Sequence, residues 1–385
     1  MYDVIIVGNG LTGGTLACAL AHKGLQVALV DQQDITKPFH PDGKSFALSR
    51  SSYRLFSELA IWQDLNEVTP ISSIHTSDGM LPSWVRYEEN ESEEGPLGYV
   101  VESALLKSAI YQKILSLKNI TFHGSTSVKR CERGSSSSVL VETDNQITLQ
   151  APLCVASDGR CSMLRESAQI PVMKWGYDQI AIVCTVAHTL PHYNQAFEHF
   201  LPTGPLAFIP REGDTSGIVW SIESEKAKDL LTLSPEAFAE ELQAHFGEAL
   251  GALKVVSERW HYPLSVNLPK RIIDTRLALV GDAAHSFHPV AGQGLNVGLR
   301  DVSALARLLS EGVALGLDLG SQTLLEAYQR NRRADILAMT FFTDGVVRAF
   351  STQSRLMARA RSIGFWAVKN ISPLKKFMIR QATGD

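Results

Sequence analysis

Val4-Ile5-Ile6-Val7-Gly8-Asn9-Gly10-Leu11-Thr12-Gly13 is the stretch that decides the fold. Its four consecutive apolar residues read as a short strand covered on both faces. Gly8, Gly10 and Gly13 then fit the G-x-G-x-x-G spacing, and residues 11–23, rich in Ala and Leu, read as a helix. In such a unit the first glycine permits a tight turn. The second lets backbone approach a pyrophosphate, and the third lets helix pack close to strand. The first turn of the helix offers unpaired N–H groups to the anion. Residues 26–30 read as the next strand and end at Asp31, where a carboxylate can accept hydrogen bonds from a ribose. The unit is a βαβ start built for a dinucleotide with an unphosphorylated ribose.

A second cradle lies far along the chain. The apolar run Leu277-Ala278-Leu279-Val280 leads into Gly281-Asp282, then Ala283-Ala284-His285-Ser286-Phe287-His288-Pro289-Val290-Ala291-Gly292-Gln293-Gly294-Leu295-Asn296, then a helix start near Val297. A buried strand that opens through a Gly-rich turn into a helix holds a polar or anionic ligand against bare backbone. A third strand, Leu153-Cys154-Val155-Ala156, ends at Ser157-Asp158-Gly159. Ser162 and Arg165 follow one helical turn apart. Several cradles in one chain point to one long cofactor held at both ends.

Composition narrows the class. With 385 residues, 45% hydrophobic and 20% charged, the chain is globular and long enough for two domains. A net charge of −4 gives no overall basic field, so nucleic acid is not expected as a partner. No apolar run approaches the ~18 residues needed to span a membrane. Residues 1–7 already read as a strand with no signal peptide before them, so a cytoplasmic protein is expected. Cys18, Cys131, Cys154, Cys161 and Cys184 lack C-x-x-C spacing and read as reduced thiols. No metal-ligand cluster stands out, and no metal site is expected.

The remaining pattern divides the chain. Residues 42–62 carry a helical pattern with Tyr53, Phe56, Leu59 and Ala60 on one face, and 100–117 also read as helix. Residues 88–95 are too acidic to pack and read as an exposed loop. Residues 120–150 read as a small antiparallel ribbon turning at Arg133–Ser138. From 173 to 270, alternating runs such as Ile180–Val186 and Gly217–Ile222 predict an antiparallel sheet, with a helix near 235–248. The fold class is therefore α/β, α+β overall. A Rossmann-like nucleotide-binding domain (1–72, 99–172 and 271–345) carries an inserted antiparallel-sheet domain (73–98 and 173–270), and 346–385 form a C-terminal basic helical segment.

These motifs, in this order, resemble the group A flavoprotein aromatic hydroxylases of the p-hydroxybenzoate hydroxylase type. Within them the likeness is to the ubiquinone-biosynthesis branch of UbiH, UbiF and VisC proteins, and it covers nearly the whole chain. The resemblance implies FAD as cofactor. Gly8, Gly10, Gly13 and Asp31 match its adenosine site, Asp158-Gly159 its DG motif, and Gly281-Asp282 its GD motif, whose Asp binds the ribityl chain. His288 to Asn296 is close to the branch signature. It implies that Pro289, Gly292, Gly294, Leu295 and Asn296 lie along the flavin ring, with Gly294 and Asn296 also holding the cofactor. Tyr99-Val100-Val101-Glu102 resembles the segment that opens the helix beside the cofactor, and Gly204–Pro210 with Trp220 resembles the sheet over the flavin. Lys44, ahead of Ala47-Leu48-Ser49, stands where the family often has Arg. It keeps the charge and loses the planar fork. Ser49 follows in the same segment. The implied reaction uses NADPH or NADH and O2, through a flavin C4a-hydroperoxide, to hydroxylate the ring of a polyprenylated phenol.

Alternatives on the same fold are a flavin reductase or dehydrogenase, a hydroxylase of a small soluble phenol, and a non-catalytic FAD-binding subunit of a membrane-associated assembly. A halogenase is disfavoured because Val219-Trp220-Ser221-Ile222 does not match W-x-W-x-I-P. His285 and His288 read as packing residues, because the sequence assigns them no acidic partner. The tail from 346 to 385 holds eight basic residues against Asp385 alone. They are interleaved with Phe350, Leu356, Met357, Ile363, Phe365, Trp366, Phe377, Met378 and Ile379. A basic amphipathic segment suits an anionic membrane surface. Peripheral attachment to the inner membrane, a ubiquinone-biosynthesis assembly and a homo-oligomer are the partners this reading leaves open.

Overall fold

The computed structural model describes residues 2–34, 42–91, 94–134, 137–352 and 354–384. Its centre is a six-stranded sheet in the order Ile273–Asp274, Leu277–Leu279, Leu153–Ala156, Val4–Val7, Val27–Val30, Ile120–His123. All pairings are parallel except the first. Val4–Val7, Val27–Val30 and Leu153–Ala156 are buried at every position, which is why their sequences are continuous apolar runs rather than alternating ones. The helix Leu11–His22 is buried from Gly13 to Ala21, so its Ala- and Leu-rich composition lets it lie between neighbours with no solvent face.

The inserted unit is an eight-stranded sheet. Its long strand Val172–His188 pairs antiparallel with Thr215–Glu223, Leu253–Val255 and Trp260–Pro269. The sheet is not wholly antiparallel, because Gln195–Leu201 runs parallel to Ser73–Asp78. That pairing ties residues 73–88 to a sheet more than a hundred positions later. Behind it the helix Pro235–Phe246 is set by three local signals. Ser234 accepts from Ala237 N–H, Pro235 opens the first turn, and Gly247 ends the helix. Phe238 is fully buried there, and Phe246 stacks on Phe208 at 3.8 Å.

Several expectations change. Residues 45–48 form a strand paired with Gly98–Glu102, and only Arg50–Glu58 is α-helical. The helical spacing of Phe56 and Leu59 was a true signal, and both are buried, whereas Ala60 is exposed beyond the helix end. In the expected ribbon, Ile120–His123 instead joins the central sheet, leaving Val128–Arg133, Val139–Thr143 and Thr148–Ala151 as the antiparallel unit. Its expected turn includes Ser135 and Ser136, which lie outside the described residues. In the acidic stretch Asn90, Glu94 and Gly95 are exposed as expected, but Glu88 ends a strand, Glu89–Glu91 form a short helical turn and Glu91 pairs with Lys375 at 2.6 Å. Ser92 and Glu93 of that stretch lie outside the described residues. The helix Gln322–Ser351 runs without a break through position 345, and the tail continues as Arg355–Asn370 and Ser372–Thr383.

Candidate active site

Sheet order brings the three sequence cradles together. Val4–Val7, Leu153–Ala156 and Leu277–Leu279 are adjacent and parallel, so their carboxyl ends share one edge. Gly8–Gly13, Ser157–Gly159 and Gly281–Asp282 leave from that edge, and Asp31 follows the neighbouring strand Val27–Val30. Ligands of open α/β sheets sit at such carboxyl ends.

The first cradle is sterically closed where it must be and open where a ligand needs room. At Gly8, with φ +102°, a Cβ would lie 2.3 Å from the Ser157 carbonyl oxygen, and at Gly13 it would lie 1.9 Å from the Gly8 carbonyl oxygen. At Gly10 a Cβ would meet nothing within 4 Å. Gly10 is also the N-cap of Leu11–His22 and supplies no side chain to its first N–H groups. Asp31 Oδ2 accepts from Asn9 N–H at 2.5 Å and Oδ1 from Gln33 N–H at 2.6 Å, which fixes the carboxylate and leaves lone pairs free. Asn9 is buried, and neither side-chain heteroatom has a partner among the described residues. Sequence reasoning passed over it because it occupies a variable position of the glycine motif.

The second and third cradles are tied to each other. Asp158 Oδ2 accepts from Leu164 N–H at 3.2 Å, while its buried Oδ1 has no partner among the described residues. Gly159 has φ +82° and open space where a Cβ would sit. Ser162 caps the short helix through Arg165 N–H, and Arg165 then donates to the Ala283 carbonyl at 2.9 Å. Gly281 packs so closely on Thr12 that a Cβ would lie 2.9 Å from its hydroxyl. Asp282 is exposed and has no protein hydrogen-bond partner among the described residues.

A buried charge network holds that turn. Asp301 is fully buried and accepts from Gly281 N–H at 3.0 Å, His285 Nε2 at 2.7 Å and Arg332 Nε at 2.7 Å. Burial works against the Asp301 charge, but His285 and Arg332 hold its carboxyl below the usual range. The sequence therefore did contain an acidic partner for His285, one whose 16-residue separation conceals it.

The Pro289 carbonyl accepts from Gly292 N–H at 3.0 Å, closing the turn before the helix Gln293–Ala314. Gly292 sits at φ +62°, where a side chain would strain the turn. Gly294 is open, and Leu295 packs against the central core. The Asn296 side chain is bonded within the protein. Its Oδ1 accepts from Ser49 N–H at 2.9 Å and Ser52 Oγ at 2.8 Å, and its Nδ2 donates to the Ala47 carbonyl at 2.9 Å. The amide is committed to holding 47–52, including Ser49, which caps Arg50–Glu58. Lys44 places Nζ 4.0 Å from the Tyr262 ring centroid, a cation–π contact in place of an Arg fork. Burial pushes its pKa down, with Asp42 and Asp282 opposing.

An orphaned carboxylate oxygen, an unpartnered buried Asn, an open Gly10 and a free Asp282 along one edge fit a long dinucleotide such as FAD. Comparison with known proteins agrees. The family described as FAD binding domain matches residues 1–343. The chain is 43% identical to the ubiquinone hydroxylase UbiL of Rhodospirillum rubrum, over 99% of this chain and 89% of that one. It is 28% identical to the 3-demethoxyubiquinol 3-hydroxylase of Escherichia coli, over 99% of this chain and 98% of that one. The fold matches that of Pseudomonas aeruginosa PqsL solved with 2-aminobenzoylacetate, with a TM-score of 0.81 and 20% identity over 95% of this chain and 99% of that one. The chain thus belongs to the FAD binding domain family, as a group A FAD-dependent monooxygenase related to the ubiquinone-biosynthesis hydroxylases.

Proposed function

We propose that the enzyme hydroxylates the aromatic ring of a polyprenylated phenol on the route to ubiquinone, with NADPH or NADH as reductant and O2 as oxidant. The observation that carries this reading is the 43% identity, across 99% of the chain, to a ubiquinone hydroxylase. The edge where three strand ends meet supports it, because it offers one partner set for each part of FAD. Gly8, Gly10 and Gly13 with the start of Leu11–His22 receive the pyrophosphate, and Asp31 accepts from the adenosine ribose. Lys44 adds positive charge beside them. Asp158 and Gly159 take the middle of the cofactor, and Asp282 accepts from the ribityl hydroxyls. FAD held by these residues would supply the redox chemistry, hydride uptake from the nicotinamide and activation of O2.

The protein's own contribution is position and dryness. The backbone of Pro289, Gly292, Gly294 and Leu295 lies along the ring end, where N–H groups and the first turn of Gln293–Ala314 favour negative charge. Ser49 and Asn296 act from behind, by fixing the strand–helix corner against that turn. Phe200, Val290 and Val347 form a buried apolar cluster beside it and exclude water from the reacting centre. For the tail we propose peripheral contact with an anionic bilayer. Leu356, Ile363, Trp366 and Phe377 are exposed there among Arg355, Arg359, Lys369 and Lys376. Among the described residues no helix is long and apolar enough to cross a membrane.

The test is deletion of the gene followed by mass spectrometry of the quinone pool. A prenylated precursor lacking one ring hydroxyl should accumulate and disappear on complementation. A normal ubiquinone pool would refute the assignment.

A further inference from the structure

The two histidines of the signature turn are equally buried, and neither Nδ1 has a partner among the described residues. They differ at the other nitrogen: His285 Nε2 goes to the Asp301 carboxylate, whereas His288 faces a neutral amide. The His288 tautomer follows from its neighbours. Gln179 Nε2 lies 3.0 Å from the Thr203 carbonyl oxygen, which can only accept. The amide is thereby oriented, and its Oε1 faces His288 Nε2 at 3.1 Å. An amide oxygen only accepts, so Nε2 carries the ring hydrogen and Nδ1 is left as a bare lone pair.

The surroundings hold the ring in this state. Tyr177 packs edge-on against it, with ring centroids 5.0 Å apart. Tyr177 and Gln179 flank a bulge, where register shifts between Gly176 and Ile180 and Asp178 adopts φ +51°. Such bulges re-aim side chains toward sites. The charged group facing His288 is Asp344 on the helix Gln322–Ser351, and it is already occupied. It accepts from Tyr177 and Trp175, each at 2.9 Å, and pairs with Arg348. Burial outweighs the pull of Asp344 and brings the His288 pKa down to about 4, so the ring is neutral at physiological pH. Tyr177 keeps its proton, because burial and Asp344 push its pKa up. Tyr177, which touches the His288 ring, also packs on the buried apolar cluster of Phe200, Val290 and Val347, so the free acceptor borders an apolar wall. Binding sites for aromatic molecules have this composition, mostly apolar with a few placed polar groups.

We propose that His288 Nδ1 receives the ring hydroxyl of the substrate, accepting first its hydrogen bond and then its proton as the ring is attacked. This rests on the monooxygenase reading above. In the step the substrate O–H bond breaks, its electron pair stays on oxygen, and N–H forms at Nδ1 to give imidazolium. Electron density moves from that oxygen into the ring as a ring carbon takes one atom of the O2-derived donor: the new C–O bond forms as the donor's O–O bond breaks, and the second oxygen leaves at the level of water, reduced by the two electrons that NADPH or NADH supplied. The imidazolium returns its proton to the oxygen when that carbon loses its hydrogen as a proton to the departing second oxygen, which leaves as water, and aromaticity is restored. The neutral ring does not ionise a resting phenol, whose pKa is about 10. Nδ1 takes the proton when the oxygen becomes carbonyl-like and strongly acidic.

Two measurements on the FAD-loaded full chain test the proposal. In the first, the protein is labelled with 15N-histidine, and His288 is assigned by its absence in His288→Asn. The Nδ1 resonance should be that of a bare nitrogen and should move on titration with phenol. A protonated Nδ1, or no movement at saturating phenol, overturns the proposal. In the second, 2-geranylphenol is the substrate and hydroxylated product is counted per bound FAD. His288→Asn should lower the rate at pH 7 by about 10²- to 10⁴-fold, the range for a general base. The deficit should narrow as pH approaches the phenol pKa of about 10, where the substrate ionises unaided. A deficit constant with pH would mean a structural role and would also overturn it. A wild-type enzyme that oxidises NADPH yet hydroxylates no phenol defeats the monooxygenase reading instead, and the first measurement still decides the role of Nδ1.

Discussion

Gly10 and Gly13 separate what the glycine motif does for the fold from what it does for the ligand. A Cβ at Gly13 would collide with the Gly8 carbonyl, so Gly13→Ala should cost about 1–3 kcal/mol of stability by overpacking. A Cβ at Gly10 meets open space at φ −68°, so Gly10→Ala should change apo stability by less than about 1 kcal/mol. Its FAD affinity should still fall at least about tenfold, or 1.4 kcal/mol. Urea unfolding of the apoprotein and FAD titration distinguish the two, and equal FAD affinity in Gly10→Ala would remove the pyrophosphate from this turn. Sequence spacing revealed these glycines because their constraint is local. It could not reveal that the Asn296 amide is spent on Ala47 and Ser49, because that bonding spans 247 residues for Ser49 alone. Nor could it distinguish His285 from His288, whose fates depend on Asp301 and on Gln179, 109 positions away.

Elements were legible where one face or one period controlled them. The apolar runs at 4–7, 153–156 and 277–279 are strands because both sides are covered, and Pro235–Phe246 announces itself by Ser234, Pro235 and Gly247. Residues 45–48 read wrongly because a strand of four residues is too short to show its own period beside the strong helical spacing that follows. The tail mixed two populations. Phe350 stacks on Phe200 at 4.2 Å, Ile379 is buried, and Arg361 donates to Asp78 at 2.7 Å with both nearly inaccessible, so one face of these helices fastens onto the inserted sheet. The other face is the exposed apolar and basic one. The double variant Leu356→Glu/Trp366→Glu should lose binding to vesicles containing phosphatidylglycerol, while its unfolding free energy stays within about 0.5 kcal/mol of wild type. Undiminished co-sedimentation of the variant would rule out this face as the bilayer contact.

At the scale of the whole molecule, the parts serve one geometry. The central sheet collects three strand ends, the inserted sheet meets them through Asn267, whose Nδ2 donates to Ser286 Oγ at 2.9 Å, and the helix Gln322–Ser351 closes the cluster around Val290. The order of motifs made this architecture readable, since each cradle follows a buried strand. The parallel pairing of 73–78 with 195–201 and the network around Asp301 were not readable, because both arise only when distant segments meet. The central claim is that this edge holds FAD for transfer of one oxygen atom to a phenolic ring. Its most direct test is single-turnover hydroxylation of 2-geranylphenol by the FAD-loaded enzyme and NADPH under 18O2, read by mass spectrometry. The account predicts one 18O atom in the ring of each product molecule, and new ring oxygen drawn from H2O, or NADPH oxidised with no ring hydroxylation, would contradict it.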